Sequence, residues 1–188
     1  MPREQEASDG ELLLRLERGD EAAFTALYRR HQGAVYRFAL QMTGKTGLAE
    51  DATQEVFLVV MKGGHGYDPA KGAFGAFLYG VARHVVLRAL RRERPYAAGL
   101  GEAAEWWDGA ASSEEALAKA QEATALRGAI LELPARYREV VVLCELHELG
   151  YAEAAVVMGC PVGTVRSRLH RARALLAGRM RAAGRCAV

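Results

Sequence analysis

The chain has 188 residues, is 51% hydrophobic and carries a formal net charge of +2. That much apolar material can bury a core and excludes wholesale disorder. Cys144, Cys160 and Cys186 are far apart and form no CxxC, which argues against a disulfide scaffold and for a reducing cytoplasm.

Charge is segregated along the sequence. From Pro161 to Val188 there are seven Arg and no Asp or Glu, whereas Pro95 to Ala125 holds six acids and Lys119. This distribution predicts a polyanion-facing carboxyl end and a differently employed middle. The histidines do not cluster with the cysteines, so neither a metal site nor a cofactor is expected. The start, "MPREQEASDGELLLRL", is too charged for a signal peptide, and no apolar run is long enough for a membrane span. The expectation is a soluble, cytoplasmic protein without membrane insertion.

Apolar spacing is helical nearly throughout, which predicts an all-α chain. Ser8 and Glu11 have capping-box spacing and open a first helix that stops at Gly19. A second helix is predicted over Asp20–Met42, with Ala23, Phe24, Leu27, Val35, Phe38 and Leu40 apolar. Gly44 and Gly47 bracket a turn, and Thr46 within it is placed to cap a third helix ending near Lys62. "GGHGYDPAKG", residues 63–72, reads as a loop, and a fourth helix runs from about Phe74 to Arg94.

Residues 95–112 are rich in Gly and Ala, acidic and without an amphipathic period, and read as a linker. Ser112 with Glu115 restarts a helix reaching Leu133, and Pro134 occupies the first turn of the next, to about Leu149. Helices over about Tyr151–Met158 and Val162–Ala182 complete the chain. Two small helical domains result, 1–94 and 113–188, joined by a flexible linker.

Helix, Gly159-containing turn, helix is the layout of a helix-turn-helix, whose second helix enters a major groove. Pro161 and Thr164 start that helix. Val165, Leu169, Ala172 and Leu176 share its inward face, and Arg166, Ser167, His170 and Arg171 point toward the groove. Arginine's fork engages guanine bidentately, whereas Arg173, Arg179 and Arg181 are placed for phosphates.

In "AEDATQEVFLVVMK", residues 49–62, Ala49, Ala52, Val56, Val59 and Val60 form a buried stripe. Glu50, Asp51, Gln54 and Glu55 lie opposite, with Leu58 in their midst. An apolar anchor ringed by charge suits a protein interface. In residues 67–95, Phe74, Phe77, Leu78, Val81 and Val85 form a core stripe. Arg83, His84, Arg88, Arg91 and Arg92 emerge around it with Tyr67 and Tyr79 nearby, a combination suited to single-stranded DNA.

Three segments together resemble the extracytoplasmic-function (ECF) sigma factors of the sigma-70 family. They are "DATQEVF" (51–57), "GAFLYGVARH" (75–84), and "GTVRSRLHRAR" (163–173) after "LPARYREVVVL" (133–143). Phe77 and His84 depart from the family's usual Trp and Asn, and Ala154 stands where a larger aliphatic residue is usual. The resemblance implies that Asp51, Gln54, Glu55 and Leu58 grip the clamp helices of the largest subunit of core RNA polymerase. It also implies that the loop 63–73 and the next helix, through Tyr67, Lys71, Arg83, His84, Arg88, Arg91 and Arg92, melt and capture the −10 element. Duplex −35 DNA would meet Thr164, Arg166, Ser167, Arg168, His170 and Arg171. Residues 1–94 then correspond to sigma region 2 and 113–188 to region 4. The linker would thread toward the polymerase cleft, or dock Trp106 and Trp107 on the protein's own domains, and an anti-sigma factor is a further implied partner. The alternative is a helix-turn-helix regulator that binds an operator without polymerase. Enzymatic activity is not expected, since no triad, phosphate-cradling loop or paired carboxylates can be drawn.

Overall fold

A computed structural model describes residues 7–62, 67–93 and 114–185. Among the described residues there are eight α-helices and no strand. They are α1 (Asp9–Glu17), α2 (Glu21–Thr43), α3 (Thr46–Met61), α4 (Phe74–Glu93), α5 (Glu114–Leu131), α6 (Ala135–Val141), α7 (Tyr151–Met158) and α8 (Val162–Arg185). The linker 95–112 with Trp106 and Trp107, the Ser112 cap, loop residues 63–66 and Cys186 lie outside the described residues.

Local chemistry sets most of the boundaries. The Ser8 hydroxyl accepts from the Glu11 amide, and the Glu11 carboxylate accepts from the Ser8 amide, closing the expected capping box. Asp20 caps α2 by accepting from the Ala22 and Ala23 amides. Gly44 ends α2 in the left-handed region, with φ 70°. Thr46 does not cap α3. Lys45 holds the cap position without a side-chain bond, and Thr46 is the first helical residue.

A larger correction falls in the carboxyl-terminal half. Pro134 is the cap of α6 rather than a residue of its first turn. The helix expected to reach Leu149 gives way after Val141 to a π-turn over Val142–Leu146. Glu148 then takes φ 55°, a left-handed conformation in a non-glycine residue. The widened turn lets Val142 and Leu143 bury on one side while His147 faces another way.

Helices α1 to α4 pack around Leu12, Leu27, Phe38, Met42, Val56, Phe74, Leu78 and Val86. Helices α5 to α8 pack around Leu133, Val140, Leu143, Val165, Leu169 and Ala172. The two cores are continuous, because α4 packs on α7 and α2 meets α5, α6 and the π-turn. The seam also contains polar anchors. The half-buried Arg138 guanidinium donates to the Met42 carbonyl of α2 and to the Leu131 and Leu133 carbonyls. It thereby satisfies helix-terminal acceptors on both sides. Burial draws its pKa down to about 10.

Candidate nucleic-acid interface

Helix α7, the Gly159 turn and α8 form the expected helix-turn-helix. Gly159 adopts φ 61° and closes α7. Val165, Leu169 and Ala172 are buried against α6 and α7, and Leu176 is half-buried. Their i, i+4, i+7 spacing places Arg166, Ser167, His170 and Arg171 on the exposed arc, with Thr164 and Arg168 half-buried at its margin. The Arg166 guanidinium lies 5.8 Å from the centre of the Tyr151 ring, which helps orient it. Arg173 and Arg179, expected at phosphates, are each engaged by an acid within the chain. Arg173 is ion-paired with Glu145 at 2.5 Å and Arg179 with Glu132 at 3.2 Å. Both acids come from elements remote in sequence, so no local pattern predicts these pairs.

On α3 the acidic arc forms as expected. Glu50, Asp51 and Gln54 are exposed, Glu55 is half-buried and Leu58 remains 49% exposed among them. Met61, one turn further on, is 52% exposed and enlarges the apolar anchor. The inner stripe is Ala49, Ala52, Val56 and Val60, while Val59 is half-buried at the rim of a neighbouring cavity.

That cavity, about 490 Å³, lies between α4, the segment 67–73 and α7. Tyr67, Lys71, Phe77 and His84 contribute to one side, and Val156 and Val157 of α7 to the other. Asp68 caps a short 3-10 turn, Pro69–Lys71, and pairs with Lys71 at 3.4 Å. Tyr67 packs against Phe74 and Phe77, whose rings are near parallel at 5.9 Å. Phe77 is only half-buried, so it is both a core residue and part of the cavity wall.

The basic residues of α4 divide into two groups. His84, Arg91 and Arg92 are exposed as expected. Arg83 does not emerge freely, because its guanidinium pairs across the seam with Glu139 of α6, whose side chain is 3% exposed. Arg88 donates to both oxygens of Glu55, at 2.5 and 2.7 Å. A residue expected to meet DNA is thus joined to one expected to meet polymerase.

Sequence reasoning missed the seam residues. His147 is half-buried in the seam, between the exposed Leu146 and Glu148. It accepts from or donates to Tyr79 through Nδ1 (2.8 Å) and contacts Gln41 Oε1 through Nε2 (2.8 Å). Gln41 Oε1 can only accept, so Nε2 carries the proton and the Tyr79 hydroxyl donates to Nδ1, the pattern of a neutral imidazole. Burial, and then the positive charge of Arg37, pull the His147 pKa down to about 4. Burial likewise raises the Tyr79 phenol. Burial, with Glu145 beside it, raises the Cys144 thiol and disfavours the thiolate. A partner for Glu139 56 residues away has no short-range signal. The one available hint was an acid followed directly by the apolar run Val140–Leu143.

Comparison with known proteins supplies the class. Residues 27–96 match the model of sigma-70 region 2, and residues 123–176 match that of sigma-70 region 4. The chain is 37% identical to the ECF RNA polymerase sigma factor SigC of Mycobacterium tuberculosis, covering 91% of this chain and 93% of that one. It is 34% identical to the ECF sigma factor SigE of Mycolicibacterium smegmatis over 82% of its length, and spans 62% of that relative. In fold it is similar to the sigma factor RpoE of Bartonella quintana, solved with the anti-sigma factor NepR. The TM-score there is 0.68, at 22% identity, covering 84% of this chain and 96% of that one. CnrH, solved with the cytosolic domain of CnrY, gives a TM-score of 0.68 at 24% identity, covering 94% and 99%. The chain belongs to the sigma-70 family and is a sigma factor of the ECF type. Among the described residues no helix is long and apolar enough to cross a membrane.

Proposed function

We propose that the chain directs core RNA polymerase to a set of promoters in the cytoplasm, as a non-enzymatic initiation factor. Residues 1–94 act as the polymerase-binding and −10 module, residues 113–188 as the −35 module, and residues 95–112 as the tether. Leu58, with Met61 beside it, inserts into an apolar site on the polymerase clamp helices while Asp51, Gln54 and Glu55 form the polar rim. Tyr67, Lys71, His84, Arg91 and Arg92 hold the opened −10 strand, joined by Arg83 and Arg88 once their internal carboxylates release them. Thr164, Arg166, Ser167, Arg168, His170 and Arg171 read the −35 duplex. Unstacking costs a few kcal/mol per base step, which capture of extruded bases offsets. Tethering raises the effective concentration of the second module once the first has bound. The neighbouring structures are sigma factors held by anti-sigma partners, which supports an anti-sigma factor as a regulator here as well.

The observation that favours this reading over an operator-binding regulator is Leu58. An apolar side chain half exposed within an acidic arc has no use in a protein that needs only DNA. Run-off transcription with purified core polymerase on genomic promoter fragments tests it. Wild-type chain gives discrete transcripts, and Leu58→Asp neither co-purifies with core polymerase nor supports them while melting at the wild-type temperature. Undiminished co-purification of the variant, or tight operator binding by the chain alone, refutes the reading.

A further inference from the structure

Tyr151 is the first residue of α7 and is 39% exposed, so its ring is not needed to fill the core of the helix-turn-helix. The Glu153 carboxylate accepts from the Gly150 amide at 3.1 Å and fixes the first turn of α7, and with it the Tyr151 backbone. The side chain meets α8, where the Arg166 guanidinium lies 5.8 Å from the ring centre. Arg173, further along α8, also interacts with Tyr151 and is ion-paired with Glu145. A surface tyrosine from the helix before the turn is thus built into the basic face of the helix after it.

The two arginines are held differently. Glu145 brings a full negative charge to Arg173 and accepts from its Nε and Nη2. The Tyr151 ring offers Arg166 only the negative face of its quadrupole, which attracts the cation without neutralising it. Arg166 therefore keeps its charge for an acceptor outside the chain. Ordering a long arginine side chain costs rotamer freedom, and bidentate contact with guanine demands one orientation of the planar fork. A ring that orients the fork beforehand removes part of that cost. A phosphate makes no such demand on orientation, so the ring acts on sequence discrimination more than on overall affinity.

We propose that Tyr151 is a positioning residue for base readout: its ring holds the Arg166 fork in the orientation that meets a guanine of the −35 duplex, and Tyr151 itself reads no base. The inference rests on the assignment of Arg166 to a base edge. A ring with this role can be exchanged for another aromatic ring but not for a side chain without one.

The test uses holoenzyme assembled with the full chain, a promoter fragment that supports run-off transcription, and competition binding against single-base substitutions of its −35 element. Arg166→Ala first identifies the base pair whose preference it flattens. Tyr151→Leu should lower the preference at that same base pair by about two- to five-fold, the size of an exposed cation–ring contact. Preferences elsewhere and the salt dependence should stay as in wild type. Tyr151→Phe, which keeps the ring and lacks the hydroxyl, should retain the wild-type preference. Tyr151→Gln, also without a ring, replaces Tyr151→Leu if the latter does not fold. In an Arg166→Ala background the loss of the ring should change nothing further. No change in either ringless variant overturns the proposal. So does an equal loss on every sequence shared by Tyr151→Phe, which would make the hydroxyl a phosphate contact. The underlying assignment is read separately: if Arg166→Ala leaves every base preference intact, Arg166 is off the bases and the role of Tyr151 falls with it. If Arg166→Ala flattens one position but the Tyr151→Leu effect adds to it in full, Tyr151 alone loses its role.

Discussion

An arginine contributes to recognition only with the donors that its own chain leaves free. Arg173 and Arg179 give theirs to Glu145 and Glu132, and Arg88 gives two to Glu55. Such half-exposed pairs are worth little in stability, about 0–1 kcal/mol, so a phosphate can displace the acid at small cost. Arg166 and Arg171 are different, being exposed on the arc that faces away from the buried Val165–Leu169–Ala172 stripe. These two are the candidates for bidentate contact with guanine. Arg171→Ala should therefore weaken binding of the holoenzyme to its −35 duplex by about 1–3 kcal/mol and relax preference at one base pair. Competition binding against a set of single-base substitutions measures this. An equal loss on every sequence would assign Arg171 to the backbone.

At the scale of elements, glycines with left-handed φ follow the ends of α1, α2 and α7, and two of them, Gly44 and Gly159, sit in different surroundings. A Cβ on Gly159 meets nothing within 4 Å, whereas one on Gly44 would lie 2.9 Å from a Leu131 methyl of α5. Gly159→Ala should thus cost only the left-handed penalty, about 1–2 kcal/mol. Gly44→Ala should lose more, because Leu131 must leave its rotamer at the seam, a further cost of about 1 kcal/mol. Denaturant melts of the two variants give the comparison. Equal losses would mean that Leu131 moves aside freely and that the α2–α5 approach is loose. The left-handed turns were legible in the sequence because glycine after a periodic apolar stretch is a local signal. The π-turn over Val142–Leu146 was not, because its extra residue per turn answers to where the other domain needs His147.

For the whole molecule, the neutral His147 at the seam makes stability depend on pH. Its folded pKa is about 4 against a usual 6.5, lowered by burial and by Arg37, with Tyr79 and Gln41 as its bonding partners and Phe38 against its ring. Above the usual value the imidazole is neutral in both states and nothing is lost. As pH falls from 6.5 toward 4, an opened or unfolded chain takes up a proton that the closed chain refuses. Stability then declines by about 3 kcal/mol in all, and the decline ends below 4. Wild type and His147→Gln, unfolded in urea between pH 4 and pH 7, should diverge by that amount over this window. Parallel profiles would show that His147 is not held neutral.

Helix content, the helix-turn-helix layout around Gly159 and the acidic arc around Leu58 were all written in the sequence. Each depends on contacts within a few turns, where a 3.6-residue period, a cap or a glycine leaves a local mark. Only the tertiary structure decided which charges are already spoken for. Arg83 with Glu139, Arg173 with Glu145, and His147 between Tyr79 and Gln41 are encounters between distant segments. Their meeting depends on how α4 and α2 settle against α6, α7 and the π-turn, and long-range packing of that kind has no periodicity to read.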